Sequence, residues 1–419
     1  MAEEKVYLCI DLKSFYASVE CAERGLDPMT ARLVVADPER TEKTICLAIS
    51  PAMKALGVKN RCRVFQIPPG IDYIMAPPRM ALYVDYSARI YSVYLRYAAR
   101  EDMHVYSIDE VFIDATDYLS YRRQSPEEFA RMIMDDVLAE TGITAACGIG
   151  SNLYLAKIAL DILSKHAPGG IARLTEESYR RLLWKHRPIT DFWRVGPGTA
   201  ARLSRMGIDC MGELAAADED MLYRAFGVDA ELLIDHAWGR EPTTIADIRA
   251  YRPHTKSICG GQVLSRGYHF DEGRIIIREM AESMALELFS QGLATDSISL
   301  HLAYSRPSRP PSSGSLSLGV PSASMKLLSG QAEALYGRLM DRRELLHRVT
   351  LSFGRLREER FPQYDLFVSP AARERERRLQ RALLDIKGKY GGNSILKCLD
   401  LAEGATARDR NHQIGGHRA

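Results

Sequence analysis

A chain of 419 residues that is 46% hydrophobic can bury several cores, which sets an expectation of two to four domains. No apolar run approaches the roughly 20 residues needed to cross a bilayer, and the start "MAEEKVYLCID" lacks the basic flank, apolar core and cleavage site of a secretory leader, so a soluble cytoplasmic protein without a membrane partner is expected. The formal charge of +2 conceals an asymmetry: residues 1–170 carry 19 basic against 23 acidic side chains, whereas residues 251–419 carry 26 against 18. The basic end is the better polyanion binder, although an ordinary solvated surface would give the same count.

In chain order, residues 5–12 ("KVYLCIDL"), 103–114 ("MHVYSIDEVFID") and 144–150 ("TAACGIG") read as strands, with helical patterns between and after them. That is an α/β core. Residues 175–240 are mostly helical, with stops at "RVGPG" and "RMGIDCMGEL", and make a small α domain. From about residue 254, two strand patterns and a long helix predict a second α/β domain, interrupted at 305–324 by "SRPSRPPSSGSLSLGVPSAS". Its Ser, Pro and Gly content predicts a mobile loop. From 371 a charged helical tail follows, and no internal repeat is present. The eight cysteines are scattered, without a C-x-x-C pair or clustered histidines to complete a zinc site, so reduced thiols are expected.

The chemistry concentrates in acids. In "VYSIDEVFID", Asp109 and Glu110 are adjacent, and adjacent residues of an ideal strand face opposite ways, so they share a site only if the strand bends or turns between them. Burying two carboxylates is costly unless a divalent cation supplies opposite charge. The alternative for the pair alone is one acid facing solvent and the other closing a turn. Asp11 follows the apolar run of the first strand and precedes the aromatics Phe15 and Tyr16. Three acids at two strand ends of one sheet can hold two Mg²⁺ ions together with a triphosphate, the arrangement that phosphoryl transfer requires.

The stretches "DLKSFYASVE" (11–20), "SIDEVFID" (107–114) and "GIGSNLYLAKIA" (148–159) resemble, in order and approximate spacing, the three palm motifs of the Y-family translesion DNA polymerases. The likeness is nearer to the UmuC-like branch, with its Gram-positive relatives, than to the DinB branch. It implies a multidomain α/β right-hand polymerase: a ferredoxin-like palm at 1–23 and 76–170, small fingers at 24–75, a helical thumb with a helix-hairpin-helix at 171–245, and an α/β little finger at 251–360. A clamp-binding motif and C-terminal tail would occupy 361–419.

Carried over position by position, the resemblance implies that Asp11, Asp109 and Glu110, with the backbone carbonyl of Leu12, hold two Mg²⁺ ions. Tyr16, beside Phe15, falls at the family's steric gate, where a ring under the sugar excludes a 2′-hydroxyl. Lys54 and Lys157 match cations that contact the triphosphate. Asp114 reads as structural, and Lys13 stands where many relatives carry a second acid. Gly196 and Gly198, in "WRVGPGTAARLSRMGI", match a helix-hairpin-helix whose backbone N–H groups hold a DNA phosphate; a plain capping turn is the alternative. In "QYDLF", Gln363, Leu366 and Phe367 have the spacing of the bacterial sliding-clamp peptide, against a reading in which Leu366 and Phe367 pack on their own domain.

The implied function is error-prone translesion synthesis, with primer-template DNA, dNTPs, the sliding clamp and SOS accessory proteins as partners, in the cytoplasm at the nucleoid. The rival readings are a catalytically silent DNA- and clamp-binding factor of the same fold, and a nucleotide cyclase built on a similar palm.

Overall fold

The computed structural model describes residues 5–39, 41–253, 256–359 and 369–419. Two compact units divide the chain at Tyr251 and Arg252. In the first, β1 (Tyr7–Leu12) and α1 (Phe15–Ala22) lead into β2 (Leu33–Val35), β3 (Ala48–Ile49), α2 (Pro51–Ala55) and β4 (Ile74–Ala76). Then come α3 (Met80–Tyr94), β5 (Met103–Val105), β6 (Glu110–Asp114), α4 (Thr116–Arg122), α5 (Pro126–Thr141), β7 (Ala145–Gly150), α6 (Leu153–Ile158) and β8 (Ile171–Leu174). Helices α7 (Glu176–Leu183), α8 (Pro197–Ser204), α9 (Met211–Ala215), α10 (Glu219–Phe226), α11 (Asp229–Trp238) and α12 (Ile245–Ala250) complete the unit.

Its main sheet runs β5-β6-β1-β7-β8, with β1 in the middle and antiparallel to both neighbours. A central strand must be apolar on both faces. Leu8, Ile10 and Leu12 point into the core shared with α3 and α5. Tyr7 and Cys9 point the other way, against Leu153, Ala156 and Leu160 of the α6 segment. Asp11 is next on that second face, where the apolar cover ends. A separate small sheet, β3-β2-β4, has its own core of Val34, Ile49, Met53, Cys46 and Cys62. The eight cysteines are free thiols, six of them buried.

The stretch 103–114 is not one strand. It is a hairpin in which β5 pairs with β6, Val105 facing Val111. The N–H groups of Tyr106 and Ser107 both donate to the Glu110 carbonyl, at 3.0 and 3.1 Å, and the Ser107 hydroxyl donates to Asp109 Oδ1 at 2.6 Å. Such local side-chain bonds favour a turn over a continued ladder. Five residues separate Val105 from Val111, so the facing residues keep the same parity and the alternation of the sequence passes through the turn unbroken and disguises it.

In the second unit, β9 (Ile258–Tyr268), α13 (Phe270–Ser290), β10 (Leu293–Tyr304), β11 (Ser312–Ser322), α14 (Met325–Leu339), β12 (Leu346–Gly354), β13 (Arg357–Glu358) and α15 (Pro370–Tyr390) follow one another. The sheet order is β11-β10-β12-β9, all pairs antiparallel, and α13 and α14 pack on one face. The expected loop at 305–324 is therefore corrected: most of it is the edge strand β11, paired with β10 from Ser297↔Ser317 to Leu302↔Ser312. Composition pointed to a loop, but the period did not. Leu316 and Leu318 pack against the core, Ser313, Ser315 and Ser317 at the alternate positions are exposed, and Pro321 is tolerated near the end of an edge strand.

The C-terminal tail belongs to this unit. Thr406 donates through its backbone N–H and its hydroxyl to Glu279 Oε2, both at 3.1 Å, and Lys397 pairs with Glu282 at 2.7 Å. Gln380, buried on α15, donates to the Ala323 carbonyl at 3.0 Å. The outward acids of α13 are thus covered by the chain's own last segment.

The two faces of β11 give a test. Leu316→Asp should lower the stability of the protein by at least about 2 kcal/mol, whereas Ser315→Asp should stay within about 0.5 kcal/mol. Urea unfolding followed by circular dichroism measures both, and equal effects would return the segment to a loop.

Candidate active site

The antiparallel register places Asp11 directly opposite Glu110. One step further, the N–H of Leu12 donates to the Asp109 carbonyl at 3.0 Å, so the hairpin turn closes onto the end of β1. Asp109 is half-buried and tethered by Ser107. The three acids predicted from sequence therefore meet at one sheet end. Burial, and then the charges of Asp109 and Glu110, push the Asp11 carboxyl up to about 7, with Lys157 pulling against them.

Glu110 is buried and accepts from two sides, Cys9 Sγ at 3.1 Å and Lys157 Nζ at 2.9 Å. Burial and the Glu110 charge keep the Cys9 thiol protonated, well above its ordinary value. Lys157 also reaches Asp161 Oδ1 at 3.0 Å, one helical turn on. Burial would lower its ammonium, but Asp161 and Glu110 more than offset it and the group is raised. Asp161 is a site residue that the sequence reading passed over; its spacing of four from Lys157 was the available signal.

Lys157 reaches the acids because α6 lies unusually close to β7. A Cβ on Gly148 would sit 2.0 Å from the Ala156 carbonyl oxygen, and one on Gly150 2.3 Å from the Ala156 nitrogen. The glycines of "GIGSN" are required for this packing. Asn152 caps α6 by accepting from the Leu155 N–H at 2.8 Å. After Ile158 the helix widens into a π turn, Ala159–Leu163, which carries Asp161; such turns are frequent at functional sites.

Around this centre, Phe15 is buried and Tyr16 half-buried on the first turn of α1. Burial raises the Tyr16 phenol, as does the Asp109 charge, while Arg61 lowers it, which puts Tyr16 among these groups. Ser14, which starts α1, has φ 52°, and its buried hydroxyl has no protein partner. Lys54, on α2, is largely exposed; nearby protein lowers its ammonium, Asp11 raises it and Lys165 lowers it again.

Two neighbours in the motif stand apart. Asp114 pairs with Lys5 at 3.0 Å at the opposite end of β6, and the Lys13 ammonium lies beside Gly170. Gly196 and Gly198, at the exposed start of α8, have open space where a Cβ would stand. Their own fold does not demand glycine there. Gln363, Leu366 and Phe367 lie outside the described residues.

The impB/mucB/samB family pattern matches residues 10–161, and the pattern of that family's C-terminal domain matches residues 255–366. The chain is 30% identical to "Putative UV-damage repair protein UvrX" of Bacillus subtilis (strain 168), over 99% of this chain and 98% of that protein. This chain belongs to the impB/mucB/samB family, the UmuC-like Y-family polymerases. Another relative in the family, "DNA polymerase IV 2" of the same organism, is 29% identical over 100% of both chains. Among solved structures, a Y-family DNA polymerase chimera matches 83% of this chain and 98% of its own with a TM-score of 0.64, at 20% identity, a likeness of fold. Among the described residues no helix is long and apolar enough to cross a membrane.

Family membership implies a divalent metal, and the donor set fits one. Three carboxylates and a backbone carbonyl are hard oxygen donors of the kind Mg²⁺ takes, and the adjacent thiol is protonated. As the side chains stand, no three His, Cys, Asp or Glu groups among the described residues converge into an ion cage; Lys157 holds Glu110 instead. This ammonium is the internal counter-charge to Glu110 and Asp161. Lys157→Met should lower stability by about 3–5 kcal/mol, because it strands Glu110 and Asp161 without their partner. Denaturant unfolding without added metal measures it, and a loss under about 1 kcal/mol would deny the ion pair that role.

Proposed function

We propose that this DNA polymerase carries out error-prone translesion synthesis, adding dNMP to a primer 3′-hydroxyl opposite undamaged and damaged template bases by two-metal phosphoryl transfer. In this reading the five-stranded sheet serves as the palm, the small sheet around β2 as fingers, helices α7–α12 as the thumb, and the second unit as the little finger; the thumb expected at 171–245 thereby loses residues 171–174, which are β8 of the palm sheet. What supports the fingers assignment is their size: a three-stranded sheet encloses a templating base loosely enough to admit lesions. The excess of basic residues after 251 suits a domain that tracks the DNA backbone, with binding that weakens steeply as salt rises.

Asp11, Asp109, Glu110 and the Leu12 carbonyl would hold the two Mg²⁺ ions. When bound, the ions lower the pKa of the primer hydroxyl and stabilise the departing pyrophosphate. The chain's own residues do the rest. Lys157 would exchange its carboxylate partners for the triphosphate, as a point charge and not a fork, and Lys54 would approach the same phosphates from α2. The Tyr16 ring would lie under the sugar and exclude a 2′-hydroxyl. The start of α8, at Gly196 and Gly198, would hold a DNA phosphate through backbone N–H groups. We assign the protein to the cytoplasm, at the nucleoid.

The observation that carries this reading is the register of β1 and β6, which sets Asp11 against Glu110 with Asp109 bonded into the same ladder. Primer extension with Mg²⁺ tests it. Asp109→Ala should slow extension by at least about a hundredfold while primer-template affinity is nearly unchanged; undiminished synthesis would falsify the ligand assignment.

The sequence of Gln363, Leu366 and Phe367 supports the sliding clamp as a partner. Deleting 363–367 should spare distributive synthesis on short templates and abolish stimulation by the clamp. A stimulation that survives the deletion removes the clamp from this segment.

A further inference from the structure

Tyr16 is one half of a stacked pair. Its ring lies on that of Tyr83 from α3, with centroids 4.5 Å apart and planes 15° from parallel. Tyr83 is fully buried, and its hydroxyl donates to Glu20 Oε1 at 2.8 Å. Glu20 is fully buried as well. Arg79 grips it with two parallel bonds, Nε to Oε1 at 2.9 Å and a terminal nitrogen to Oε2 at 2.8 Å, and Arg24 adds a further ion pair.

The pattern has a simple origin. Tyr16 and Glu20 are four apart on α1, and Arg79 and Tyr83 stand at the same spacing at the start of α3, so each pair shares one helix face. Where the faces meet, ring stacks on ring and carboxylate pairs with guanidinium. A fork-to-carboxylate contact is directional and resists rotation, and a buried Tyr with a satisfied hydroxyl has little freedom to turn. Burial by itself would raise the Glu20 carboxyl, but the bonds from Arg79, Arg24 and Tyr83 hold it below the usual range, so the anchor stays charged. A sugar differing by one oxygen can be refused only by a ring that does not yield. A half-buried Tyr on a first helical turn has no such rigidity of its own.

We propose that Tyr83, held by the buried Glu20–Arg79 pair, is a positioning residue for sugar selection: it forms the rigid plate against which the Tyr16 ring is pressed. The inference rests on the reading of Tyr16 as the gate. Tyr83 is fully buried behind the Tyr16 ring and acts through it.

The test is the ratio of kcat/KM for a dNTP to that for the matching rNTP, on one primed template, in four proteins. Tyr83→Leu should lower the ratio by about tenfold, chiefly through a gain with the ribonucleotide. Tyr83→Phe, which keeps the plate and loses only the hydroxyl, should retain most of the selectivity. General damage to the fold would depress both substrates alike and leave the ratio where it was. If Tyr16→Ala lowers the ratio and Tyr83→Leu does not, the plate is refuted and the gate stands. If Tyr16→Ala itself leaves the ratio unchanged, the gate reading fails and takes this inference with it. Should Tyr83→Leu not fold, Glu20→Gln decides: a lowered ratio supports the plate and an unchanged one overturns it.

Discussion

Like charge crowded at the end of two neighbouring strands is the constraint around which the first unit is organised. The β1–β6 ladder sets Asp11 and Glu110 side by side, and the hairpin turn adds Asp109. A charged carboxylate out of bulk water is unfavourable, and a second nearby makes it worse. Lys157 provides the internal answer, reaching both Glu110 and Asp161.

Several features far from the acids exist to serve that arrangement. The glycines at 148 and 150 let α6 approach β7 to a distance no side chain would permit, and Asn152 fixes where the helix begins. On the other side of β1, α1 starts two residues after the strand and carries Tyr16 past the carboxylates. The α1–α3 contact then fixes the ring through a stack and a buried ion pair. The three acids, the counter-charge and the Tyr16 ring are thus supplied by β1, the β6 hairpin, α6 and α1, whose mutual placement depends on close packing on both faces of β1.

The second unit follows a different logic. Its sheet covers one face with α13 and α14 and leaves the other polar, with serines, glycines and scattered basic groups along β9, β11 and β12. A face of that composition gains nothing from burial and remains available to a hydrated, charged partner. The outward side of α13, which carries Glu279 and Glu282, is sealed by the tail. Covering those acids removes negative charge from the surface of a domain whose composition is basic.

By itself the sequence determined the class of chain, the α/β character of both ends, the family, and the identity of Asp11, Asp109, Glu110, Tyr16 and Lys157 as the residues to watch. The acids were legible because each sits in a short local pattern, an acid after an apolar run and an acidic pair in an alternating stretch, whereas Tyr16 and Lys157 were singled out by the resemblance to the family's motifs. What it left hidden was non-local. The turn inside 103–114 preserves the alternation on either side of it, so no period marks it. β11 looked like a loop because an edge strand with a solvent face needs apolar residues only at every second position, and serine fills the rest. The roles of Glu20, Arg79 and Tyr83 arise only where two helices meet, with Glu20 and Tyr83 63 residues apart in the chain, and Asp161 matters only because α6 brings Lys157 up to Glu110. Local residue preferences are written along the chain, but electrostatic and stacking energies depend on distance in space, and folding alone sets that distance.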